Sequence, residues 1–336
     1  MAENILTAFL TDQATLSYNR RMPTKEEFIP GYLKLPAAAL DERIRTAEEM
    51  LSACRLCPRA CGVNRLKGEM GICRTGEKAA VASFMPHFGE ETPLVGKGGS
   101  GTIFITHCNL LCIFCQNYEI SHLGEGRAVT TEELSAMMLM LQGEGCHNIN
   151  FVTPTHVTAQ ILAALPLAIA GGLHVPLVYN SSGYDMVETL RLLDGIFDIY
   201  MPDFKFWDPD TAKLLAHAPD YPKRARDAIR EMHRQVGDLV INDKGIAVQG
   251  LLVRHLVMPD GLAETKEITH FLATEISPHT YVNIMDQYRP CGRARYYPAI
   301  NRMITSAEYD EALRLARETG LSRIDEKDWR KIIAWR

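Results

Sequence analysis

Residues 107–117 read His107-Cys-Asn-Leu-Leu-Cys-Ile-Phe-Cys-Gln-Asn117 and directly follow a strand-like run at residues 102–106. This three-cysteine loop places Cys108, Cys112 and Cys115 at C-x3-C-x2-C spacing after a strand, where β/α folds build active sites. Three thiolates satisfy three irons of a [4Fe-4S] cube and leave the fourth iron without a protein ligand. A structural zinc site normally takes four closed ligands instead. The spacing therefore predicts an open iron–sulfur cluster, with these cysteines as its catalytic and metal-binding residues.

An open iron gives this loop a specific predicted chemistry. The iron can be chelated by the amino and carboxylate groups of S-adenosylmethionine, which brings the sulfonium beside the cluster for reduction by one electron. Carbon–sulfur cleavage then releases methionine and a 5′-deoxyadenosyl radical that abstracts hydrogen atoms. The non-enzymatic alternative is an iron–sulfur sensor or electron carrier, which would not cleave S-adenosylmethionine.

Beyond the loop, short β-rich runs alternate with helical ones, which is typical of βαβ units and a parallel sheet. The predicted strands lie near 102–107, 148–153, 175–179, 196–201, 248–254 and 281–285. The predicted helices lie near 131–143, 157–170, 186–194, 209–235 with a break at Pro219 and Pro222, 264–276, and after Ser306, which resembles an N-terminal cap. A full eight-unit barrel takes about 250 residues, more than this region offers. We therefore predict an α/β chain: a partial (β/α)6 barrel with an N-terminal cysteine-rich extension.

These patterns divide the chain into three parts. Residues 1–98 would form the N-terminal extension with a four-cysteine metal knuckle, residues 99–320 the partial barrel, and residues 321–336 a C-terminal helix. Trp329, Ile332, Ile333 and Arg336 in the last part have helical spacing, which predicts a terminal helix docked by its apolar face.

A second set of thiols lies upstream at C-x2-C-x3-C-x11-C spacing. The four-cysteine segment, residues 54–73, carries Cys54, Cys57, Cys61 and Cys73 among glycine and proline turns. Four cysteines can close a zinc tetrahedron or fully ligate an iron–sulfur cluster, and the spacing does not separate the two. We predict a metal site here, with an iron–sulfur cluster as the preferred occupant and zinc as the alternative.

The composition narrows the class of protein. The chain has 336 residues, of which 46% are apolar and 23% charged, and a formal net charge of −5. This balance is that of an ordinary globular chain and disfavours both intrinsic disorder and a nucleic-acid partner. No apolar run is long enough to span a bilayer, and the N-terminus lacks the pattern of a secretory signal, so we expect a cytoplasmic location. In that reducing compartment, clustered cysteines bind metal more often than they form disulfides.

Five further segments carry a family resemblance. They are Gly99-Ser-Gly-Thr-Ile-Phe104, Cys115-Gln-Asn-Tyr-Glu-Ile-Ser121, Tyr200-Met-Pro-Asp-Phe-Lys205, Val253-Arg-His-Leu-Val-Met-Pro259 and Met285-Asp-Gln-Tyr-Arg-Pro290. Together with the three-cysteine loop, they resemble the radical S-adenosylmethionine (SAM) superfamily. The match is to the branch similar to pyruvate formate-lyase activating enzymes and to its longer homologues with an extra N-terminal cysteine set. The resemblance covers about residues 95–320 and implies a partial (β/α)6 barrel, a [4Fe-4S] cluster and SAM.

The resemblance also implies cofactor-binding residues. The backbone near Phe114 would meet the adenine. The segment that usually reads Gly-Gly-Glu and receives the methionine amino group reads Thr153-Pro-Thr-His156 here, so Thr153 and Thr155 are the candidates for that contact. Asn180, Ser181 and Ser182 would contact the ribose or carboxylate of the cofactor, with a hydrogen-bonded turn as the alternative. Asp203 and Lys205 would face the cofactor, with a structural salt bridge as the alternative, and Arg254 would pair with the cofactor carboxylate.

The same resemblance implies an activase that installs a radical on a backbone glycine of a separate glycyl radical enzyme. A flavodoxin- or ferredoxin-type protein would supply electrons. A second hypothesis keeps the radical chemistry but changes the substrate to a small metabolite, a peptide or RNA. The N-terminal extension and the altered Thr153–His156 segment support that second hypothesis.

Overall fold

The computed structural model of the chain describes residues 28–325. Most of the predicted C-terminal helix, including Trp329 and Trp335, lies outside the described residues. The described start of that stretch is a short strand and not a helix. The strands are β1 (Ala79–His87), β2 (Ser100–Ile105), β3 (Arg127–Val129), β4 (Ile149–Val152), β5 (Leu177–Ser181), β6 (Ile199–Pro202), β7 (Val240–Ile241), β8 (Ala247–Leu256), β9 (Tyr281–Met285) and β10 (Arg323–Ile324).

The six predicted strands are all present and form one parallel sheet. Their order is β2-β4-β5-β6-β8-β9, which follows their order along the chain. The two end strands do not pair with each other within residues 28–325. Instead β1 adds antiparallel to β2, and β10 adds parallel to β9. The sheet is therefore an open, partial barrel, and the α/β class is confirmed.

The helices follow the predicted pattern with short shifts at their ends. They are α1 (Ala37–Glu49), α2 (Thr92–Val95), α3 (Thr131–Gly143), α4 (Thr158–Ala170), α5 (Val187–Leu192), α6 (Pro209–Ala216), α7 (Tyr221–Val236), α8 (Thr265–Phe271) and α9 (Ser306–Glu318). Among the described residues, none of these helices combines the length and apolarity that crossing a membrane requires.

Local signals explain where several helices begin and end. The predicted break in residues 209–235 is real: α6 ends at His217, whose φ of 51° is left-handed, and α7 restarts with Pro222 in its first turn. The predicted cap of α9 was wrong by one residue. Thr305 is the cap, because its hydroxyl accepts the Glu308 N–H at 3.2 Å and the Glu308 carboxylate accepts the Thr305 N–H at 2.7 Å. Ser306 is already the first helical residue.

The N-terminal extension lies against the barrel. The Tyr32 hydroxyl donates to the carbonyl of Val175 at 2.9 Å, and the Gly31 N–H donates to Asp198 Oδ1 at 2.7 Å. Helix α1 packs on α4. These contacts tie the segment before the four-cysteine segment to the N-terminal ends of β5 and β6.

The connection from β1 to β2 fills the N-terminal end of the sheet. His87 lies opposite Ser100, at the start of β2, so the chain arrives at the end where the parallel strands begin. There Leu94 of α2 is buried in an apolar cluster with Val178 and Ile199. Sequence reasoning missed β1, because its residues show no alternation and include Pro86, which argues against a strand. With this end filled, the C-terminal ends of the strands are left to form the site.

Candidate active site

A cavity of about 360 Å³ opens at the C-terminal ends of the parallel strands. The three-cysteine loop borders it on one side, and residues at the ends of β4, β5, β6 and β8 border it on the others. The predicted site residues that line it are Cys108, Cys112, Phe114, Cys115, Thr153, Asn180, Ser181, Ser182, Asp203, Lys205 and Arg254. The fold thus brings nearly the whole predicted cofactor set into one cavity.

Local contacts shape the three-cysteine loop around its sulfur atoms. His107 and Leu111 have φ values of 71° and 59°, in the left-handed region. The Leu110 N–H donates to Cys108 Sγ at 3.3 Å, and the Ser121 hydroxyl donates to Cys115 Sγ at 3.2 Å. Such donors stabilise negative charge on sulfur, which the thiolate ligands of a metal cluster carry.

Burial opposes thiolate formation in the absence of a metal. It raises the pKa of the Cys108 thiol to about 11, and it raises the pKa of Cys112 well above the usual range. The Lys205 ammonium lowers both pKa values but does not cancel the effect of burial. A cationic metal group would supply the missing compensation. Three thiols in one cavity, one buried and two half-buried with hydrogen-bond donors beside them, therefore fit an open [4Fe-4S] cluster.

Among residues 28–325, no group of three or more Cys, His, Asp or Glu side chains has the arrangement of ligands around a single metal ion. A mononuclear zinc site takes four ligands around one ion, whereas each cysteine of an iron–sulfur cluster ligates a different iron. The three thiols that line this cavity match the ligand number of an open cluster.

A chain of ionic hydrogen bonds forms the wall opposite the loop. Asp203 accepts from Lys205 Nζ at 2.5 Å and from Arg254 Nε at 2.8 Å, and Arg254 Nη2 donates to Asn180 Oδ1 at 2.8 Å. Burial alone would raise the pKa of Asp203, but Arg254 and Lys205 together hold this pKa below its usual range. The predicted salt bridge therefore exists, and its members also line the cavity.

Ser182 offers the cavity an unused hydrogen-bonding group. Its Oγ is buried and has no hydrogen-bond partner among the described residues. A buried hydroxyl without a partner is uncommon in folded proteins and usually marks a bound molecule or water. Ser182 is thus the predicted residue with the clearest capacity for a ligand contact, and it supports the fit of a polar cofactor here.

Thr155 was predicted to contact the cofactor, but it does not line the cavity. It is fully buried, and its hydroxyl donates to Asp185 Oδ1 at 2.6 Å. Asp185 also accepts from Tyr179 at 3.0 Å and from Ser181 at 2.6 Å. The buried carboxylate needs these donors, because no cation neutralises it nearby in the described chain. Of the two threonines, only Thr153 reaches the cavity.

Phe114 contributes to the cavity wall from a buried position. Its ring packs against Phe206 and Tyr288, with ring centroids 6.0 and 5.9 Å apart. The neighbouring Ile113 N–H donates to the Leu215 carbonyl at 2.9 Å. These contacts anchor the part of the loop that carries Cys112 and Cys115.

Sequence reasoning missed Glu90, which also lines the cavity. Its side chain is 8% exposed, and its carboxylate lies 3.7 Å from Arg254 Nη1, beyond hydrogen-bonding distance. Burial, opposed by Arg254 and reinforced by Glu91, raises the pKa of Glu90 to about 7. Glu91 beside it accepts from Asn283 Nδ2 at 2.9 Å. The only feature of the sequence that could have indicated Glu90 is its pairing with Glu91 between apolar segments.

The four thiols of the four-cysteine segment line one small pocket. Three of them are buried and Cys61 is half-buried. Burial, with the neighbouring thiols, raises the pKa of Cys57 to about 12. The Ile72 N–H approaches Cys61 Sγ at 3.5 Å, and a Cβ at Gly71 would lie 2.7 Å from the same sulfur. The predicted metal ligands are therefore together.

The side chains in this pocket that were not anticipated include three with polar groups, Arg59, Arg65 and His156. His156 Nε2 lies 3.0 Å from the Thr106 carbonyl oxygen, whereas its Nδ1 is buried without a hydrogen-bond partner in the described chain. Burial lowers the pKa of His156 to about 3, so the imidazole is neutral. His156 follows β4, so the barrel and the N-terminal extension share this pocket.

Comparison with known proteins identifies the family. Residues 102–246 match the family model of the radical SAM superfamily. An uncharacterized protein of Methanocaldococcus jannaschii is 34% identical over 294 residues, which cover 85% of this chain and 80% of that protein. A solved radical SAM methyltransferase from Sphaerobacter thermophilus aligns with a TM-score of 0.44 and 13% identity, over 86% of this chain and 92% of that one. HydG, a maturase of the [FeFe]-hydrogenase, aligns with a TM-score of 0.46 and 11% identity, over 86% of this chain and 57% of that one. Residues 102–246, which contain the three-cysteine loop, therefore form a radical SAM superfamily domain, and members of this superfamily use a [4Fe-4S] cluster and SAM.

Proposed function

We propose that this radical SAM enzyme is a glycyl-radical-enzyme activase, which removes a hydrogen atom from a backbone glycine of a separate partner protein. The observation that carries the proposal is the single cavity that joins the three-cysteine loop to the Asp203, Lys205 and Arg254 chain. These are the positions at which the sequence resembles the pyruvate formate-lyase activating enzyme-like branch. When bound, the cluster and SAM would supply the 5′-deoxyadenosyl radical.

The chain's own residues bind, orient and shield the cofactors in this proposal. Cys108, Cys112 and Cys115 hold the cluster. Lys205 and Arg254 offer N–H donors to the carboxylate of SAM, and Asp203 keeps both cations in place. The Ser182 hydroxyl provides a hydrogen bond to a hydroxyl or carboxylate of the same cofactor.

Exposed apolar side chains near the cavity support a protein substrate. Phe88 is 56% exposed and lies between His87 and Gly89, which line the cavity. Leu123 is 65% exposed and follows Ser121, which also lines it. Apolar side chains beside a site suit the docking of a polypeptide. A flavodoxin- or ferredoxin-type donor would supply the electron.

Glu90 favours a second candidate, the modification of a small amine-bearing metabolite or peptide inside the cavity. Its carboxylate has no hydrogen-bonded cation among residues 28–325, so a substrate ammonium would find an acceptor there. The same carboxylate disfavours the third substrate class, RNA, because it would repel a phosphate group.

We also propose that the four-cysteine pocket holds an iron–sulfur cluster and not zinc. All four thiols line one pocket, as the ligands of a fully ligated iron–sulfur cluster do. Anaerobic reconstitution should then give about eight iron atoms per chain, whereas about four iron atoms plus one zinc would contradict the proposal.

The decisive experiment for radical chemistry is an anaerobic assay for 5′-deoxyadenosine with reconstituted protein, dithionite and SAM. Cys108→Ala should abolish product formation, because it removes a cluster ligand. Cys146→Ala is the matched control, since Cys146 is a buried cysteine that lines neither cysteine pocket. A wild-type protein that reduces and reoxidises without forming 5′-deoxyadenosine would support the sensor or electron-carrier alternative instead.

The substrate class needs a separate readout. With a candidate partner deuterated at glycine, an activase should transfer deuterium into 5′-deoxyadenosine and leave a glycyl signal in electron paramagnetic resonance. Transfer from a deuterated small amine, without a glycyl signal, would select the second candidate.

A further inference from the structure

An arginine of the four-cysteine segment binds the backbone of the three-cysteine loop. Arg59 lies between Cys57 and Cys61 in the sequence. Its Nε donates to the Asn109 carbonyl at 3.0 Å, and its Nη2 donates to the Leu110 carbonyl at 3.0 Å. Both carbonyls belong to the turn between the first two cysteines of the loop. The path of the loop therefore depends on where the four-cysteine segment holds this guanidinium.

The same guanidinium also binds the end of α6. It donates to the carbonyl oxygens of Ala216 at 2.9 Å and His217 at 2.6 Å, and it stacks over the Tyr184 ring at 5.2 Å. Hydrogen bonds from a charged donor are stronger than those between neutral groups. Arg59 thus joins three elements: the four-cysteine segment, the three-cysteine loop and the barrel.

A second link reaches the start of the loop. Arg65 is fully buried, and its Nη1 donates to the His156 carbonyl at 2.8 Å and lies 3.9 Å from Cys54 Sγ. The His156 ring in turn contacts the Thr106 carbonyl, which directly precedes the loop. The two links meet the loop at different points, one at its start and one at its first turn.

The pocket itself is built for an occupant. A carbonyl oxygen only accepts hydrogen bonds, so His156 Nε2 carries the hydrogen toward Thr106, and Nδ1 keeps a lone pair with no partner in the described chain. A buried acceptor left without a hydrogen bond destabilises the fold. Histidines beside metals commonly donate their other ring N–H to a backbone carbonyl. This orphaned nitrogen, among four thiols, points to a bound metal group independently of the cysteine spacing.

We propose that the metal group in the four-cysteine pocket sets the conformation of the three-cysteine loop, with Arg59 and His156 as the connecting residues. The inference rests on the proposed metal occupancy of that pocket. Without the metal, the four thiols of residues 54–73 are not cross-linked, and the segment is held by its turns and by contacts such as the hydrogen bond from Thr189 to the Leu56 carbonyl. With it, the four thiols are cross-linked, and the guanidinium is fixed against the loop. The coupling is reciprocal, so order in the loop also favours occupancy of the pocket.

The test isolates the pocket from the loop. In the full-length C108A/C112A/C115A variant, only the four-cysteine pocket can take up metal. Backbone hydrogen exchange of residues 106–117 is then measured before and after anaerobic reconstitution with iron and sulfide, and separately after loading with zinc. We expect reconstitution with iron and sulfide to slow exchange in this loop by at least about tenfold, the effect of 1.4 kcal/mol of coupling.

The connecting role of Arg59 is tested by adding Arg59→Met to the C108A/C112A/C115A variant. We expect it to remove the change in exchange at the first turn of the loop, residues 108–112, where Arg59 binds, while the link from His156 to Thr106 and the saturated iron content stay the same. Arg55→Met is the matched control, because Arg55 is an exposed arginine of the same segment. The comparison of loaded and unloaded parent protein needs no Arg59 variant, so poor folding of that variant would not block the test.

Two failures are distinguishable. Iron uptake with unchanged exchange in residues 106–117 would overturn the coupling while leaving the metal site intact. No uptake of iron or zinc would overturn the metal site itself. Protection by zinc alone would retain the coupling and replace the proposed occupant.

Discussion

The Asp203 carboxylate lies 2.5 Å from the Lys205 ammonium, and both side chains are at least 85% buried. A second cation, Arg254, contacts the other oxygen of the same carboxylate. One anion thus holds two cations at the cavity wall in low-dielectric surroundings. Such an arrangement is stable only while every member is present, because a lone buried charge is costly.

Asp203→Asn should lower the free energy of unfolding by about 3–5 kcal/mol, since it leaves two buried cations uncompensated. Chemical denaturation measures this loss. Asp227→Asn is the control: Asp227 pairs with Lys223, whose side chain is 71% exposed, and its loss should cost under about 1 kcal/mol. Equal costs for the two variants would contradict a buried ionic wall.

Glu90→Gln should change how stability depends on pH. The folded pKa of Glu90 is raised to about 7, above its unfolded value, so its contribution is complete below about pH 4.5 and is lost as the pH rises through 7. Wild-type protein should lose up to about 3 kcal/mol between pH 5 and 8 through this group, and the variant should not. Denaturation at both pH values gives the slope, with exposed Glu144→Gln as the control. Parallel wild-type and Glu90→Gln curves would refute the assigned shift.

Substitutions at Ser182 and Thr155 should have different effects, one on SAM binding and the other on the free energy of unfolding. Ser182→Ala should weaken SAM binding about three- to tenfold, the effect of one lost hydrogen bond, with little change in stability. Thr155→Val should lower the free energy of unfolding by about 1–3 kcal/mol, because Asp185 loses a donor, and leave SAM affinity unchanged. Anaerobic calorimetry and denaturation report the two quantities. The reverse assignment of effects would restore Thr155 as a cofactor ligand.

Local signals made much of this structure predictable from the sequence. Helix α3 begins where predicted, because Thr130 and Glu133 form a capping box within four residues. The three cysteines of the loop are close in sequence, so their spacing alone predicted a shared site. The alternation of strands with helices predicted the parallel sheet, because strand–helix–strand connections allow few topologies.

The missed features all depend on contacts between distant residues. Glu90 enters the cavity only because β1 runs antiparallel to β2, and nothing in the local sequence of β1 indicates that path. Thr155 is turned from the cavity by Asp185, thirty residues further along the chain. His156 joins the four-cysteine pocket through a contact between residues 91 positions apart, the hydrogen bond from Arg65 to the His156 carbonyl. No spacing rule within one segment could reveal these.

Gly71→Ala should empty the four-cysteine pocket selectively. A Cβ at Gly71 would lie 2.8 Å from the Cβ of Cys61 and 2.7 Å from its sulfur, so the clash falls partly on an atom close to the backbone and displaces this ligand. Gly76→Ala is the matched control, because its Cβ would meet only Met70 Cε at 3.9 Å. After reconstitution, iron should fall from about eight to about four atoms per chain in Gly71→Ala and stay at about eight in the control. SAM binding at the other site should persist in both variants, though less tightly in Gly71→Ala if the loop depends on the pocket. Full iron content in Gly71→Ala would mean that Cys61 is not a ligand, and that His156 or another donor completes the set.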